Sequence, residues 1–116
     1  VLSVTDYALQ PTGNDGHYRY RFTVQRSTEG TSRLEGWARL SVTGNEAGMQ
    51  RSYSLSDLST DQLEAHKLGF RQFQQIDGEL ILPTDFAAQW LTIEFNPLNG
   101  AFRRVNLVYD WSPDDA

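Results

Sequence analysis

Apolar and polar residues alternate along most of the chain, and this alternation predicts strands rather than helices. In the run 17–25 every second residue is large and apolar: Tyr18, Tyr20, Phe22 and Val24. A period of two residues is typical of a strand with one buried face. Runs of the same kind are found at 2–9, 34–43, 49–55, 67–73, 76–82, 90–96 and 102–111.

The segments between these runs are rich in Gly, Pro, Asn, Asp and Ser, which favour turns. Only 56–66 has room for a helical turn, with Ser56 or Thr60 as its cap. The sequence therefore predicts an all-β fold, an antiparallel β-sandwich of about seven or eight strands, immunoglobulin-like or fibronectin-like. A small β-barrel is the alternative.

The polar faces of two neighbouring strands carry the first candidate contact residues. Because 17–25 and 34–43 are close in sequence, an antiparallel hairpin is expected. Arg21 or Thr23 then lies opposite Trp37, and an Arg stacked on a Trp forms a cation–π pair. Two interpretations of Trp37 remain open: a contact patch or sugar-stacking platform, or a side chain covered by a loop or by a missing part of the chain.

Other aromatic and basic residues on predicted outer faces extend this candidate surface. Phe73 shares a strand face with Arg71, unless a bulge at 74–75 turns it inward. Arg39 lies on the polar face of its strand, and Trp90 shares its face with polar neighbours. The complete candidate interaction surface is Trp37, Arg21, Arg39, Phe73, Arg71 and Trp90.

Length, composition and charge narrow the function classes. The 116 residues suit a single domain, 1–116, and 39% hydrophobic with 22% charged residues is a globular composition. A net charge of -5 disfavours nucleic acid and anionic membrane surfaces, which are themselves negative. The chain begins with Val inside a strand pattern, so we expect a fragment of a longer protein, with any anchor or signal upstream and any membrane contact through a segment not present here. A processed mature protein is the alternative.

No motif in the sequence predicts catalysis, a cofactor or a metal. Cysteine is absent, and the two histidines, His17 and His66, have no ligand-spaced partners. Asp77 and Glu79 share a strand face about 7 Å apart, but nothing places them across a cleft as a glycosidase requires. We therefore predict that the domain is not an enzyme and has no catalytic, cofactor or metal residues.

Several segments, taken in order, resemble an uncharacterised family of proteobacterial membrane proteins. After a first strand come the tyrosine-rich strand and three further segments: 17–22, 54–58, 68–83 and 109–112. The most specific part is 70–83, with its Phe, Gln and Gly-Glu-Leu residues. Members of that family resemble one another in having a transmembrane helix, a coiled coil and a C-terminal β domain, and this chain is similar to the β domain. The resemblance implies a fragment of a longer membrane-anchored protein, an envelope location and a scaffolding role rather than catalysis, and it supplies no assigned activity.

Together these observations predict a non-catalytic protein-interaction or scaffolding domain of a periplasmic or envelope protein. It would bind a protein partner or a second copy, by surface complementarity or by strand addition at an open sheet edge. The alternative is a carbohydrate-binding module, with Trp37, Trp90 or Tyr7 as stacking residues.

Overall fold

The computed structural model describes residues 2–26, 32–98 and 103–113. Within these ranges it contains eight strands and one short helix. In chain order they are β1 (Leu2–Pro11), β2 (His17–Arg26), β3 (Leu34–Glu46), β4 (Met49–Ser54), α1 (Leu55–Leu58), β5 (His66–Phe70), β6 (Phe73–Ile81), β7 (Phe86–Pro97) and β8 (Val105–Asp110). Each predicted strand is present with shifted ends, and Phe102, the predicted start of the last one, lies outside the described residues.

The strands form two antiparallel sheets. Sheet A has the order β1-β2-β6, and sheet B has the order β4-β3-β7-β8 with β5 also paired to β3. The long strand β3 pairs along one edge with both β5 and β4, with β5 near its beginning and β4 near its end. The predicted β-sandwich is confirmed, and the described strands do not close into a barrel.

The prediction of a hairpin between the second and third strands is wrong. β2 pairs with β1 and β6 in sheet A, whereas β3 pairs with β4, β5 and β7 in sheet B. Closeness in sequence favours a hairpin, but here the chain crosses from one sheet to the other after β2. Arg21 and Thr23 therefore do not lie opposite Trp37, and the predicted cation–π pair is absent.

The core lies between the inner faces of the two sheets. Its largest fully buried aromatic residues are Tyr20, Phe22 and Phe95, and Phe22 meets Phe95 edge to face at 6.5 Å between ring centroids. The apolar residues on the inner face of β3 are buried: Leu34, Ala38, Leu40 and Val42. Burying such side chains is the main favourable contribution to folding.

In the part of the chain that the structure describes, the one helical turn is α1, and it begins two residues earlier than a Ser56 cap would place it. Ser54 is the N-cap and forms a capping box with Asp57, whose carboxylate accepts bonds from the Ser54 N–H at 3.2 Å and from its hydroxyl at 2.9 Å. The predicted caps Ser56 and Thr60 are therefore wrong. Within the described ranges no helix has the length and apolar character needed to cross a bilayer.

Candidate interaction edge

Strand β8 forms one edge of sheet B and pairs on one side only. It is hydrogen bonded to β7, and no described strand pairs with its other side. The Trp111 N–H donates to the Gln89 carbonyl at 2.9 Å. Because hydrogen-bonded and non-bonded pairs alternate in an antiparallel ladder, the next bonded residues are Tyr109, Leu107 and Val105. The backbone N–H and C=O groups of Asn106, Val108 and Asp110 consequently point away from β7, along the free edge.

The side chains of β8 alternate between the two faces of sheet B. Val105, Leu107 and Tyr109 are half-buried on the inner face, and Tyr109 stacks on Tyr7 of β1 with ring centroids 4.1 Å apart. Val108 lies on the outer face and is 63% exposed. The strand thus offers free backbone groups together with apolar side chains on both faces.

Opposite charges flank β8 on the outer face. Arg104, just before the strand, bonds both carboxylate oxygens of Glu94 through Nη2, each at 2.9 Å. These bonds lower the pKa of Glu94, partly opposed by desolvation. Asp110 occupies the last position of the strand and is exposed. The edge therefore has a basic residue at its beginning and an acidic one at its end.

Strand β1, at one edge of sheet A, has two features that oppose strand addition. Its pairing with β2 shifts between Thr5 and Ala8, and within this bulge Asp6 has a φ of 55°. Pro11 ends the strand and has no N–H to donate. Bulges and prolines are common means by which edge strands avoid pairing with other chains.

The outer edge of β5 is occupied by the side-chain amide of Gln74. Its Oε1 accepts from the Gly69 N–H at 2.8 Å, and its Nε2 donates to the Lys67 carbonyl at 2.9 Å. Gln74 in this way takes the place of a neighbouring strand. β4 has only six residues and an exposed outer surface, with Arg51 close to Glu46 and Tyr53.

The remaining edge, that of β6, borders a cavity of about 170 Å³. The segment after α1 lies across from it, with Asp61 on that segment and Asp77 and Glu79 on β6. A partner strand would have to displace this segment and approach carboxylates. Of the described sheet edges, β4 and β8 have no bulge, proline, covering side chain or covering segment. β8 differs from β4 because Val105, Leu107 and Tyr109 are half-buried, whereas five of the six β4 residues are exposed.

The same cavity also contains the His66–Tyr20 pair, whose Nε2 and hydroxyl are 2.6 Å apart. Burial lowers the pKa of His66, and nearby Asp77 and Asp61 oppose that shift. Within the described ranges, no three His, Asp or Glu side chains are arranged to hold a metal ion. The pair joins β5 of sheet B to β2 of sheet A, so we assign it a structural role.

The structure does not bring the six predicted surface residues together. Arg21 lies on the outer face of sheet A, opposite Asp77, whereas Arg39 lies on the outer face of sheet B, opposite Glu94. Phe73 starts β6, pairs with Gln25 and is 66% exposed. It therefore does not turn inward at a bulge.

Arg71 lies between β5 and β6, and its carbonyl accepts from Nη1 of Arg26 at 3.0 Å. Phe73 and Arg71 thus belong to the region where the chain passes from sheet B to sheet A. The predicted surface is divided between two faces and this crossing.

Trp37 and Trp90 share the outer face of sheet B but lie near opposite ends. Trp37 faces Asn96 and Trp90 faces Thr43, so about 20 Å of strand separates them. Trp37 is 39% exposed, beside a cavity of about 200 Å³ that Arg39, Glu64 and Ala65 complete. Tyr7 stacks on the inner side, so the three proposed stacking residues form no common platform.

Comparison with known proteins agrees with the prediction of an uncharacterised family. Residues 1–93 match the Family of unknown function (DUF6776). The chain belongs to this family. No curated protein matches it significantly.

One solved structure resembles this DUF6776 chain only distantly. It is an X-ray structure of Northeast Structural Genomics Consortium target SoR45, at 12% sequence identity and a TM-score of 0.36. The likeness covers 93% of this chain and 80% of the other. A TM-score this low supports no conclusion about fold or function.

The sequence of this DUF6776 chain predicts an open sheet edge in general terms but does not identify it as β8. A signal is present in the sequence: 105–110 contains no Pro or Lys, and apolar Val108 interrupts the alternation between the polar outer residues Asn106 and Asp110. What the sequence lacked was the strand order, which decides whether a strand is central or at an edge.

Proposed function

We propose that this domain is a non-catalytic protein-interaction module that accepts a partner strand along the free edge of β8. The observation that carries the proposal is the contrast among sheet edges. A bulge interrupts β1 and Pro11 ends it, Gln74 covers β5, a chain segment borders β6, and β4 has five exposed residues out of six. Among the described residues, β8 is regular, uncovered and provided with half-buried apolar side chains.

Strand addition explains how such an edge binds. Backbone groups of Asn106, Val108 and Asp110 supply the hydrogen bonds, and the alternating side chains supply specificity. Val108 contributes apolar contact on the outer face, and Leu107 contributes it on the inner face. The half-buried state of Leu107 means that a partner strand would complete its burial.

We also propose that the domain acts at the bacterial envelope, as part of a membrane-anchored protein. The support is the resemblance of 70–83 to the β domain of proteobacterial membrane proteins. Fractionation of source cells with an antibody to this domain tests the location. Recovery in the cytosolic fraction alone would contradict it.

Val108→Pro is the sharpest test of the edge. The Val108 N–H points away from β7, so proline removes a donor from the free edge and none from the β7–β8 ladder. Val108→Thr is the matched control, because it keeps the N–H and the branched shape. Wild type, Val108→Pro and Val108→Thr are immobilised, and proteins captured from envelope extract are identified by mass spectrometry.

Each captured protein is then purified and its Kd for the three forms is measured directly. We expect wild type and Val108→Thr to bind alike and Val108→Pro to bind at least about tenfold more weakly. Equal binding by all three folded forms, or the absence of any protein partner, would refute the proposal. Retention of polysaccharide that depends on Trp37 or Trp90 would support the carbohydrate alternative instead.

A further inference from the structure

We infer that the partner strand is β8 of a second copy of this chain, so that two domains join through antiparallel β8–β8 pairing. This inference rests on the proposed function and specifies its partner. Such pairing joins the two copies of sheet B into one continuous sheet around a two-fold axis, with equivalent residues buried on both sides.

The geometry of β8 restricts the register. The axis is perpendicular to the sheet, so inner residues must face inner residues and outer residues must face outer ones. If Leu107 faces its own copy, then Asn106 faces Val108 and Val105 faces Tyr109. In this register the backbone groups that point away from β7 meet one another as hydrogen-bonded pairs.

Charge complementarity selects this register over its neighbours. With Leu107 on the axis, Arg104 of each copy lies opposite Asp110 of the other, on the outer face. A shift by one step, with Val108 on the axis, places Arg104 opposite Ser112 instead. Of these two registers, the first brings opposite charges together at both ends of the shared edge.

The apolar contacts fit the same arrangement. Val105, Leu107 and Tyr109 are half-buried on the inner face of each copy, and in the dimer they face one another. The exposed Val108 meets Asn106 on the outer face. A single pair of six-residue strands is a small interface, so the expected Kd is in the range of about 10–100 µM.

Sedimentation equilibrium of the 116-residue chain tests the association. We expect a monomer–dimer equilibrium for wild type and Val108→Thr, and a monomer for Val108→Pro. Circular dichroism confirms that each variant is folded. A dimer that persists unchanged in folded Val108→Pro would overturn the inference.

Charge reversal tests the register and does not depend on proline. Arg104→Glu or Asp110→Arg alone places like charges at both ends of the edge, and we expect each to raise the dimer Kd about tenfold. The double variant restores opposite charges between the copies and should bind more tightly than either single variant, with a Kd above the wild-type value because residue 104 no longer pairs with Glu94 of its own copy. Failure of the double variant to recover affinity would contradict this register.

Cysteine crosslinking tests the axis itself, since the natural chain contains no cysteine. Leu107→Cys places two thiols at a non-hydrogen-bonded pair, within the range that a disulfide spans. We expect rapid formation of a crosslinked dimer under mild oxidation. Asn106→Cys is the control and should crosslink poorly, because residue 106 faces residue 108. Preferential crosslinking of Val108→Cys would indicate the shifted register and contradict the one inferred.

The experiments separate this inference from the proposed function. If wild type stays monomeric up to about 1 mM but captures another protein in a Val108→Pro-sensitive way, self-pairing is refuted and the interaction module stands. If it stays monomeric and captures nothing, both are refuted. A Val108→Pro-sensitive dimer supports both.

Discussion

The hydroxyl of Tyr7 is buried and has no hydrogen-bond partner within the described residues. Desolvation, with a smaller contribution from Tyr109, raises the pKa of Tyr7 to about 12. An unpaired buried hydroxyl costs stability, whereas the hydroxyl of Tyr20 is bonded to His66 at 2.6 Å. The hydroxyls of Tyr7 and Tyr20 therefore differ in their contribution to the free energy of unfolding.

Replacing each tyrosine by phenylalanine measures this difference. We expect Tyr7→Phe to leave the free energy of unfolding unchanged or to raise it by up to about 1 kcal/mol, since the stacked ring is retained. Tyr20→Phe should lower it by about 1–2 kcal/mol, because His66 loses its partner. Urea denaturation followed by circular dichroism gives both values. A larger loss for Tyr7→Phe than for Tyr20→Phe would contradict the assignment.

Burial of His66 should make the free energy of unfolding decrease as the solution becomes acidic. Burial lowers its pKa below the ordinary 6.5, against the opposing influence of Asp77 and Asp61. Between the folded-state and unfolded-state pKa values of His66, the unfolded chain binds more protons than the folded chain. The contribution of neutral His66 to the free energy of unfolding is therefore complete above pH 6.5 and is lost as the pH falls below 6.5. We expect the free energy of unfolding to decrease from pH 7 to pH 5, and His66→Gln to reduce that decrease. An identical pH profile for the variant would exclude His66 as the cause.

At the scale of elements, Gln74 stabilises β5 by covering its outer edge. Gln74→Ala removes both bonds and exposes the Gly69 N–H and the Lys67 carbonyl, so we expect a loss of about 1 kcal/mol of unfolding free energy. Gln75→Ala is the matched control. Gln75 is exposed on β6, and its replacement should change stability by less than about 0.5 kcal/mol. Equal losses in the two variants, by chemical denaturation, would mean that the edge cover contributes nothing.

Alternation in the sequence was sufficient to predict the strands, because burial on one face leaves a period of two residues. It placed Tyr20, Phe22 and Val24 on the inner face of β2, where they are buried. Alternation says nothing about which strands are neighbours, so the order of strands had to come from the structure.

Gly78 illustrates what depends on that order. It lies in β6 opposite Tyr20 of β2, and a Cβ there would come within 2.7 Å of the Tyr20 Cζ atom. Nothing near Gly78 in the sequence indicates this contact. The residues of the candidate surface lie apart for the same reason: the hairpin that would bring Arg21 and Trp37 together is absent, because they belong to different sheets.

At the scale of the whole molecule, the pattern of edges predicts the pattern of hydrogen exchange. β2 lies between β1 and β6, and β3 lies between β7 on one side and β4 and β5 on the other. Amides in these central strands should exchange most slowly, since they open only with the core. Those of β4 and β8 should exchange faster.

Within β8 the expected pattern alternates and responds to concentration. In dilute solution the amides of Leu107 and Tyr109, which point to β7, should be protected, and those of Asn106 and Val108 should exchange rapidly. Raising the protein concentration should protect Asn106 and Val108 as dimers form, and Val108→Pro should abolish that effect at Asn106. Residue-resolved exchange by NMR checks this. Protection of Asn106 and Val108 already in dilute solution would mean that another part of the same chain covers this edge.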